Sequence, residues 1–214
     1  MAYRKYEGSD ITVQYDVQRC IHAAECVNRL RAVFDTEKRP WIQPDNASAQ
    51  ETADVIQKCP SGALLYESKI DSVSAETPDE TNSIQMVNDG PLYVRGDIHL
   101  KQDGETQSHM RLALCRCGQS GNKPYCDNSH IKAGFPTQST LAAVEATPAA
   151  VPSEPLEVEP YKNGPIGIKG AFRLLNMDQE TVMQGEKGAL CRCGNSGNKP
   201  FCDGTHSKIN FQAP

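Results

Sequence analysis

The sequence predicts an α+β protein that consists of a small N-terminal domain and two β-rich units packed on each other as an internal pseudo-dimer. Three observations lead to this prediction. The nine cysteines fall into three groups of three, a stretch of about fifty residues occurs twice, and a proline-rich segment separates the two copies. Units of this size bury too little apolar surface to fold alone, so we expect metal ligation and mutual packing to stabilise them.

Composition and charge exclude several classes of partner. The formal net charge is −5 and the pI is about 5.6, with lysines and arginines scattered along the chain. A basic patch for nucleic acid or an anionic membrane is therefore missing. The sequence has no apolar run of spanning length and does not start with an export signal, so we expect a cytoplasmic protein. In a reducing compartment the cysteines are better interpreted as metal ligands than as disulfides.

An internal repeat organises the second part of the chain. Residues 112–130, LALCRCGQSGNKPYCDNSH, recur at 188–206 as GALCRCGNSGNKPFCDGTH. Upstream, GPLYVRG recurs as GPIGIKG, and the second copy carries a two-residue insertion between the two matches. The segment between the copies holds four prolines and many Ala and Glu, which is typical of an extended linker. We predict domains at 1–68, 84–136 and 160–214, with the linker at 137–160.

Local patterns predict the secondary structure of each domain. Alternating apolar residues predict a strand over 11–15, and a helix is expected over 24–34. Ser48 and Glu51 have the spacing of a capping box, which predicts a helix from 49 to about 58, followed by a strand over 63–67. In the repeat, the turn dipeptide Asp103-Gly104 predicts a hairpin that leads into the cysteine motif.

Each copy of the repeat carries four candidate metal ligands at the same spacing. They are Cys115, Cys117, Cys126 and His130 in the first copy, and Cys191, Cys193, Cys202 and His206 in the second. A C-x-C pair is too close for an easy mutual disulfide but can place both thiolates on one metal. A Cys and a His four residues apart on the first turn of a helix can face a second metal. This arrangement suits a two-iron cluster, and zinc in a Cys3His site is the alternative.

These residues carry a family resemblance. The pattern C-x-C-x2-S-x3-P-x-C-D-G-[S/T]-H resembles that of the CDGSH, or NEET-type, iron–sulfur proteins, and residues 191–206 match it in full. The first copy departs from it at Asn128, where the family has Gly, although Asn tolerates a left-handed backbone. The resemblance implies a [2Fe–2S] cluster held by three Cys and one His in each copy. It also implies a tandem arrangement in which the two CDGSH units mimic a two-fold dimer.

Two further pairs of residues are expected to support these ligands. Asp127 and Asp203 precede the predicted helix turn, where a carboxylate can accept free backbone N–H groups and orient the histidine. The hydroxyls of Ser120 and Ser196 are candidates for hydrogen bonds to cluster sulfur or to a ligating thiolate. Ordinary turn and cap roles are the alternative for all four residues.

The N-terminal cysteines form a different motif. Cys20 and Cys26, with the remote Cys59-Pro60, resemble the ligands of monocluster ferredoxins, but the middle position is Ala23. The resemblance implies a divergent ferredoxin-like domain of the kind fused to CDGSH motifs. Three thiolates can hold a [3Fe–4S] cluster, or a [4Fe–4S] cluster whose fourth iron binds water or another side chain. His22 is a candidate for that fourth ligand or a solvent-facing loop residue, and buried structural cysteines without a cluster are a further alternative.

Electron transfer is the function that these motifs favour. Three clusters on one chain would form a short redox path, and the sequence shows neither a nucleophile–base pair nor an organic-cofactor motif, so we do not expect an enzyme. The expected partner is a redox protein or an apo iron–sulfur acceptor, with no nucleic acid and no membrane, and the chain is expected to be a monomer with an internal pseudo-two-fold. The alternatives are a cluster donor or redox and pH sensor, and a zinc-stapled interaction module.

Overall fold

The computed structural model describes residues 3–136, 141 and 154–214, and the chain divides into two compact units, Met1–Thr77 and Pro78–Pro214. Both units are mostly β with short helices, which agrees with the α+β prediction. Most of the predicted linker, 137–160, lies outside the described residues. Its last five residues differ from the prediction, because Leu156–Pro160 is a strand in which Leu156 and Val158 are fully buried.

The first unit is built on a three-stranded antiparallel sheet in the order β1-β2-β3, formed by Arg4–Glu7, Ile11–Tyr15 and Leu64–Ser68. The predicted strand over 11–15 is therefore confirmed. Helix α2, Ala49–Ile56, begins at the predicted capping box: the Ser48 hydroxyl accepts the Glu51 N–H at 3.2 Å, and the Glu51 carboxylate accepts the Ser48 N–H at 3.1 Å. This box satisfies two of the helix's free N–H groups and so determines where the helix starts.

The helix predicted over 24–34 is much shorter in the structure. Helix α1 spans only Glu25–Arg29, and its C-cap Leu30 has φ −144°, which ends the helical path. The chain beyond it turns inward, because Val33 and Phe34 are fully buried and Phe34 forms an antiparallel bridge with Ile42. Packing in the core of this unit therefore overrides the local helical pattern.

The second unit contains two hairpins, one from each copy of the repeat. The strands of the unit are β4 Ser83–Met86, β5 Leu92–Gln102, β6 Glu105–Leu114, β7 Leu156–Pro160, β8 Ile166–Leu175 and β9 Thr181–Leu190.

The turn of each hairpin differs in length. In the first copy, β5 and β6 are joined by Asp103 and Gly104, as the sequence predicts, and their φ values of 53° and 81° fit a type I′ turn. In the second copy, β8 and β9 are joined by the longer segment 176–180, which accommodates the insertion.

The two copies share one sheet by reciprocal strand pairing. Strand β4 precedes the first hairpin; it is antiparallel to β5 of its own copy and parallel to β8 of the other. Strand β7 precedes the second hairpin; it is antiparallel to β8 and parallel to β5. The pairings β4–β5–β7–β8–β4 therefore form a closed circuit, with β6 and β9 added outside it. One apolar core, which includes Ile84, Leu100, Val158, Ile168 and Leu190, draws residues from both copies.

A buried asparagine connects the two hairpins. The Asn82 side-chain carbonyl accepts the Asp97 N–H at 2.9 Å in β5, and its amide donates to the Ala171 carbonyl at 3.1 Å in β8. Both contacts lie at matching irregularities in the strands, next to Gly96 and Gly170, which have φ values of 129° and 113°. The pairing between copies is thus secured by side-chain as well as backbone hydrogen bonds.

The two copies also approach each other closely directly after their C-x-C pairs. A Cβ on Gly118 would stand 2.5 Å from the Cys193 carbonyl oxygen, and a Cβ on Gly194 would stand 2.5 Å from that of Cys117. Both glycines also have positive φ, 79° and 82°. Two independent constraints, backbone conformation and interatomic space, therefore require glycine at these positions.

We predict that Gly118→Ala destabilises the second unit more than Gly104→Ala does. Gly104 has nearly the same φ, 81°, but no atom within 4 Å of its Cβ position, so it is a matched control. The left-handed conformation should cost about 1–2 kcal/mol in both variants, and the clash at Gly118 about 1–3 kcal/mol more. Denaturant unfolding measures the difference, and equal losses in the two variants would contradict the close approach.

Candidate metal centres

The sheet positions the cysteine motifs through the ends of β6 and β9. After β6 the chain passes through Cys115 and Cys117 and then folds back, so that Tyr125 forms a bridge with Leu114. The Cys115 N–H donates to the Pro124 carbonyl at 2.8 Å, and the Cys126 N–H donates to the Ala113 carbonyl at 2.9 Å. The second copy repeats these contacts at Cys191 and Cys202, each at 2.8 Å. The backbone of the sheet therefore holds the third cysteine beside the first two.

The four donors of each copy come in two pairs. The sulfurs of the C-x-C pair lie 3.8 Å apart in both copies. The third cysteine lies beside the histidine Nδ1, at 3.4 Å for Cys126 and His130 and at 3.2 Å for Cys202 and His206. Two ligands on one tetrahedral metal are about 3.5–3.8 Å apart at ordinary bond lengths. Within the described part of the chain, no three or more Cys, His, Asp or Glu side chains are grouped to hold one ion.

Burial and local hydrogen bonds determine the protonation of these thiols. The pKa of Cys115 is lowered to about 6 by a hydrogen bond from Cys117, with help from the backbone N–H groups of Ser120 and Gly118. The same bond and burial raise the pKa of Cys117, and burial raises that of Cys126 to about 11. Burial also lowers the pKa of His130, followed by the charge of Arg116. To bind a metal, Cys117 and Cys126 must therefore lose a proton, whereas His130 must remain neutral.

The aspartate and serine side chains near the ligands form hydrogen bonds to backbone groups. Asp127 accepts the Ser129 N–H at 3.0 Å and the Gly121 N–H at 2.8 Å, and Asp203 makes the equivalent contacts in the second copy. The Ser120 hydroxyl differs from the expectation, because it donates to the Tyr125 carbonyl at 2.7 Å rather than to sulfur. Ser196 likewise donates to the Phe201 carbonyl at 2.6 Å. Since a hydroxyl has one proton, these serine hydroxyls stabilise the loop rather than the thiolates.

The departure from the family pattern at Asn128 leaves the local conformation unchanged. Asn128 has φ 70° and precedes α3, Ser129–Lys132, just as Gly204, with φ 83°, precedes α4, Thr205–Lys208. In both copies the backbone N–H at this position points to the third cysteine sulfur at 3.4 Å. Asn therefore adopts the left-handed conformation that the turn requires.

The three N-terminal cysteines line one cavity in the first unit. Cys20, Cys26 and Cys59 all contribute to a space of about 610 Å³, together with Tyr15 and Trp41. Burial and then the charge of Cys59 raise the pKa of Cys26 to about 11. This cavity brings together three thiols that are distant in sequence. The exposed candidate His22 also lines it and has φ 50°.

Two hydroxyls near these thiols were not singled out from the sequence. Burial and then a hydrogen bond to Cys20 raise the pKa of Tyr15, so its phenol keeps its proton and can donate to the sulfur. The Trp41 ring meets the Tyr15 ring edge-on with 5.0 Å between centroids, which holds the phenol in place. The Ser61 oxygen lies 3.6 Å from the Cys59 sulfur. In the sequence, the signal that Tyr15 faces inward was its alternation with Val13 on β2.

Comparisons with known proteins identify related families along the chain. Residues 6–69 match a family model described as a divergent 4Fe-4S mono-cluster, and residues 89–131 and 163–207 match one described as an iron-binding zinc finger of CDGSH type. The chain is 39% identical over 67 residues to the uncharacterized protein YjdI of Escherichia coli strain K12, which covers 31% of this chain and 88% of that relative. The YjdI protein of Escherichia coli O157:H7 matches to the same extent.

The fold, the paired ligands and these matches define an iron–sulfur protein. The chain belongs to the CDGSH iron–sulfur family, with two CDGSH motifs in tandem behind a divergent 4Fe-4S mono-cluster domain. None of the helices in the described ranges has the length and apolar character needed to span a bilayer.

We predict that Asp203→Ala speeds the loss of iron from the second copy by about 10-fold or more, the scale on which residues behind metal ligands act. The substitution removes the acceptor for the Thr205 N–H at 2.9 Å and the Gly197 N–H at 2.8 Å, so the turn that carries His206 loosens. Asp203→Asn, which keeps one oxygen, should have an intermediate effect. The measurement is the rate of iron transfer to a chelator, and an unchanged rate in Asp203→Ala would show that the carboxylate does not support the ligands.

Proposed function

We propose that this chain is an electron-transfer protein with a [2Fe–2S] cluster in each CDGSH unit and a [3Fe–4S] or [4Fe–4S] cluster in the first unit. When bound, each cluster supplies a site that accepts and releases one electron. The observation that carries the proposal is the contact between the two C-x-C loops at Gly118 and Gly194. It brings the ligand loops of two metal centres into van der Waals contact, which suits electron exchange between them.

The pairing of donors supports a two-iron cluster over zinc. A mononuclear Cys3His zinc site needs four donors around one ion, whereas each copy here offers two pairs. One pair is Cys115 with Cys117, and the other is Cys126 with His130. Two pairs match a two-iron cluster, because each pair would hold one iron.

The reciprocal contacts support an internal pseudo-two-fold. Strands β4 and β7 each pair with both hairpins in the same senses, and Gly118 and Gly194 each meet the other copy's cysteine carbonyl at the same distance. Because this pairing lies within one chain, we propose that the protein acts as a monomer. Five of the six cysteines of the CDGSH units are buried by the chain's own residues, and we assign these residues no catalytic role. The partner that we propose is a redox protein.

A cluster donor is the second candidate, favoured by the unequal exposure of the ligands. Cys115 and Cys191 are 1% exposed, whereas His130 and His206 are partly exposed. The histidine side of each centre is thus the side from which a cluster could leave to an apo acceptor. Incubation with an apo iron–sulfur protein separates the two: electron transfer leaves the iron bound, and donation moves it.

We predict that protein purified without oxygen contains iron and sulfide and no stoichiometric zinc. With two [2Fe–2S] clusters, the iron content should be about seven per chain with a [3Fe–4S] cluster and about eight with a [4Fe–4S] cluster. Elemental analysis with electron paramagnetic resonance measures this. Replacing Cys59 with Ala should remove only the cuboidal signal, and zinc at the level of the CDGSH sites would contradict the proposal.

We predict that His206→Cys lowers the reduction potential of the second cluster. A fourth thiolate makes the centre more negative, so an added electron is less stable, and histidine ligation has the opposite effect in other two-iron centres. His130→Cys should act on the first cluster in the same way. His99→Cys, outside the motif, is the control and should leave both potentials unchanged. A redox titration that finds His206→Cys equal to wild type would show that His206 is not a ligand.

A further inference from the structure

A buried serine hydroxyl lies beside one of the candidate ligands of the first unit. The Ser61 oxygen is 3.6 Å from the Cys59 sulfur, and Ser61 is 3% exposed. The hydroxyl also accepts the Ala63 N–H at 3.3 Å. Among the described residues, the Cys59 sulfur is the only acceptor that this hydroxyl contacts. Because the site is buried, water does not compete for the hydroxyl proton, which is therefore directed to the sulfur.

Backbone contacts hold the serine in this position. The Cys59 carbonyl accepts the Gly62 N–H at 3.3 Å, which closes a tight turn over residues 59–62, and Gly62 has φ 63°. The guanidinium of the buried Arg19 donates to the Ser61 carbonyl at 2.6 Å. These contacts fix the serine backbone without using its hydroxyl proton, so that proton stays available to the sulfur.

Ligation determines which atom donates in the contact between Ser61 and Cys59. In the free thiol, either atom could supply the proton. A cysteine binds metal as the thiolate, which has no proton to donate. Once Cys59 is a ligand, the contact is an O–H···S hydrogen bond from the serine. Hydrogen bonds to the sulfurs are among the factors that set the reduction potential of an iron–sulfur cluster.

We propose that the Ser61 hydroxyl donates a hydrogen bond to the Cys59 thiolate and so raises the reduction potential of the cuboidal cluster in the first unit. This inference rests on the proposed presence of that cluster. The reduced state carries one more negative charge than the oxidised state, so a donor to a ligand sulfur stabilises it more. The CDGSH units differ, because Ser120 and Ser196 donate to backbone carbonyls.

The test is a redox titration of the full chain, followed by the paramagnetic resonance of the cuboidal cluster. Ser61→Ala should lower the potential of this cluster. The expected change is an equilibrium constant for reduction that is about 2- to 10-fold smaller, the size of effect that one hydrogen bond produces. The potentials of the two [2Fe–2S] clusters should stay unchanged, because the substitution removes no donor from their ligands.

Ser68 offers a matched control in the same unit. Its hydroxyl accepts the Ile70 N–H at 3.2 Å, as that of Ser61 accepts the Ala63 N–H, but it donates to the Ile70 carbonyl at 2.7 Å. Ser68→Ala therefore removes the same kind of turn contact without removing a donor to sulfur. All cluster potentials in this variant should equal those of the wild type.

Ser61→Thr and Ser61→Val separate the hydroxyl from the shape of the side chain. The two new side chains have nearly the same size, but only threonine carries a hydroxyl. Ser61→Thr should keep the potential near that of the wild type, whereas Ser61→Val should lower it as Ser61→Ala does. If Ser61→Ala does not retain the cluster, the difference in potential between the threonine and valine variants decides.

Two results would overturn the inference: equal potentials in the wild type and Ser61→Ala, or equal shifts in Ser61→Thr and Ser61→Val. A loss of stability without a shift in potential would mean that Ser61 supports the turn alone. Iron analysis and resonance of the wild type distinguish this failure from that of the proposed function. A wild-type chain without a cuboidal cluster would overturn the proposed function, whereas a bound cluster with an unshifted potential would overturn only the role of Ser61.

Discussion

The backbone contact between Cys117–Gly118 and Cys193–Gly194 is the constraint on which the rest of the second unit depends. Each glycine lies against the other copy's cysteine carbonyl, at a distance that leaves no room for a side chain. Two loops can approach this closely only if the strands behind them are held in register. The closed circuit of β4, β5, β7 and β8 provides that register, because each copy contributes one strand between the hairpins.

Pairing of the two copies also compensates for the small size of each unit. Units of about fifty residues have little apolar surface to bury, so stability must come from shared packing and from ligation. Pairing of the copies creates a single core, to which both hairpins contribute.

The first unit brings its three candidate ligands together without a repeated motif. Its three thiols are distributed over a loop, a short helix and the segment that follows a second helix, and they meet because a three-stranded sheet and α2 bring these segments to one cavity. Tyr15 and Trp41 line that cavity, and hydroxyls on Tyr15 and Ser61 approach the sulfurs. Hydrogen bonds of this kind stabilise thiolate charge without adding a ligand.

Several elements of the fold follow from short-range patterns. The capping box at Ser48, the turn at Asp103-Gly104 and the strand at Ile11–Tyr15 were predictable because each depends on residues within a few positions of one another. The helix expected over 24–34 was wrong in length because Phe34 packs in a core with Val13 and Leu64, which are distant in sequence. The linker was assigned five residues too many, since Leu156–Pro160 becomes a strand only when both hairpins are present to pair with it.

The sequence by itself determined the candidate ligands, their spacing, the repeat and the family, because metal ligands can be recognised from residue types at short separations along the chain. Only the tertiary structure decided which groups surround those ligands. The serine hydroxyls donate to backbone carbonyls, and the Tyr15 phenol forms a hydrogen bond with Cys20. The physical reason is that the partner of each hydroxyl depends on how its loop folds back against the sheet, and residue types at a given spacing do not specify that path.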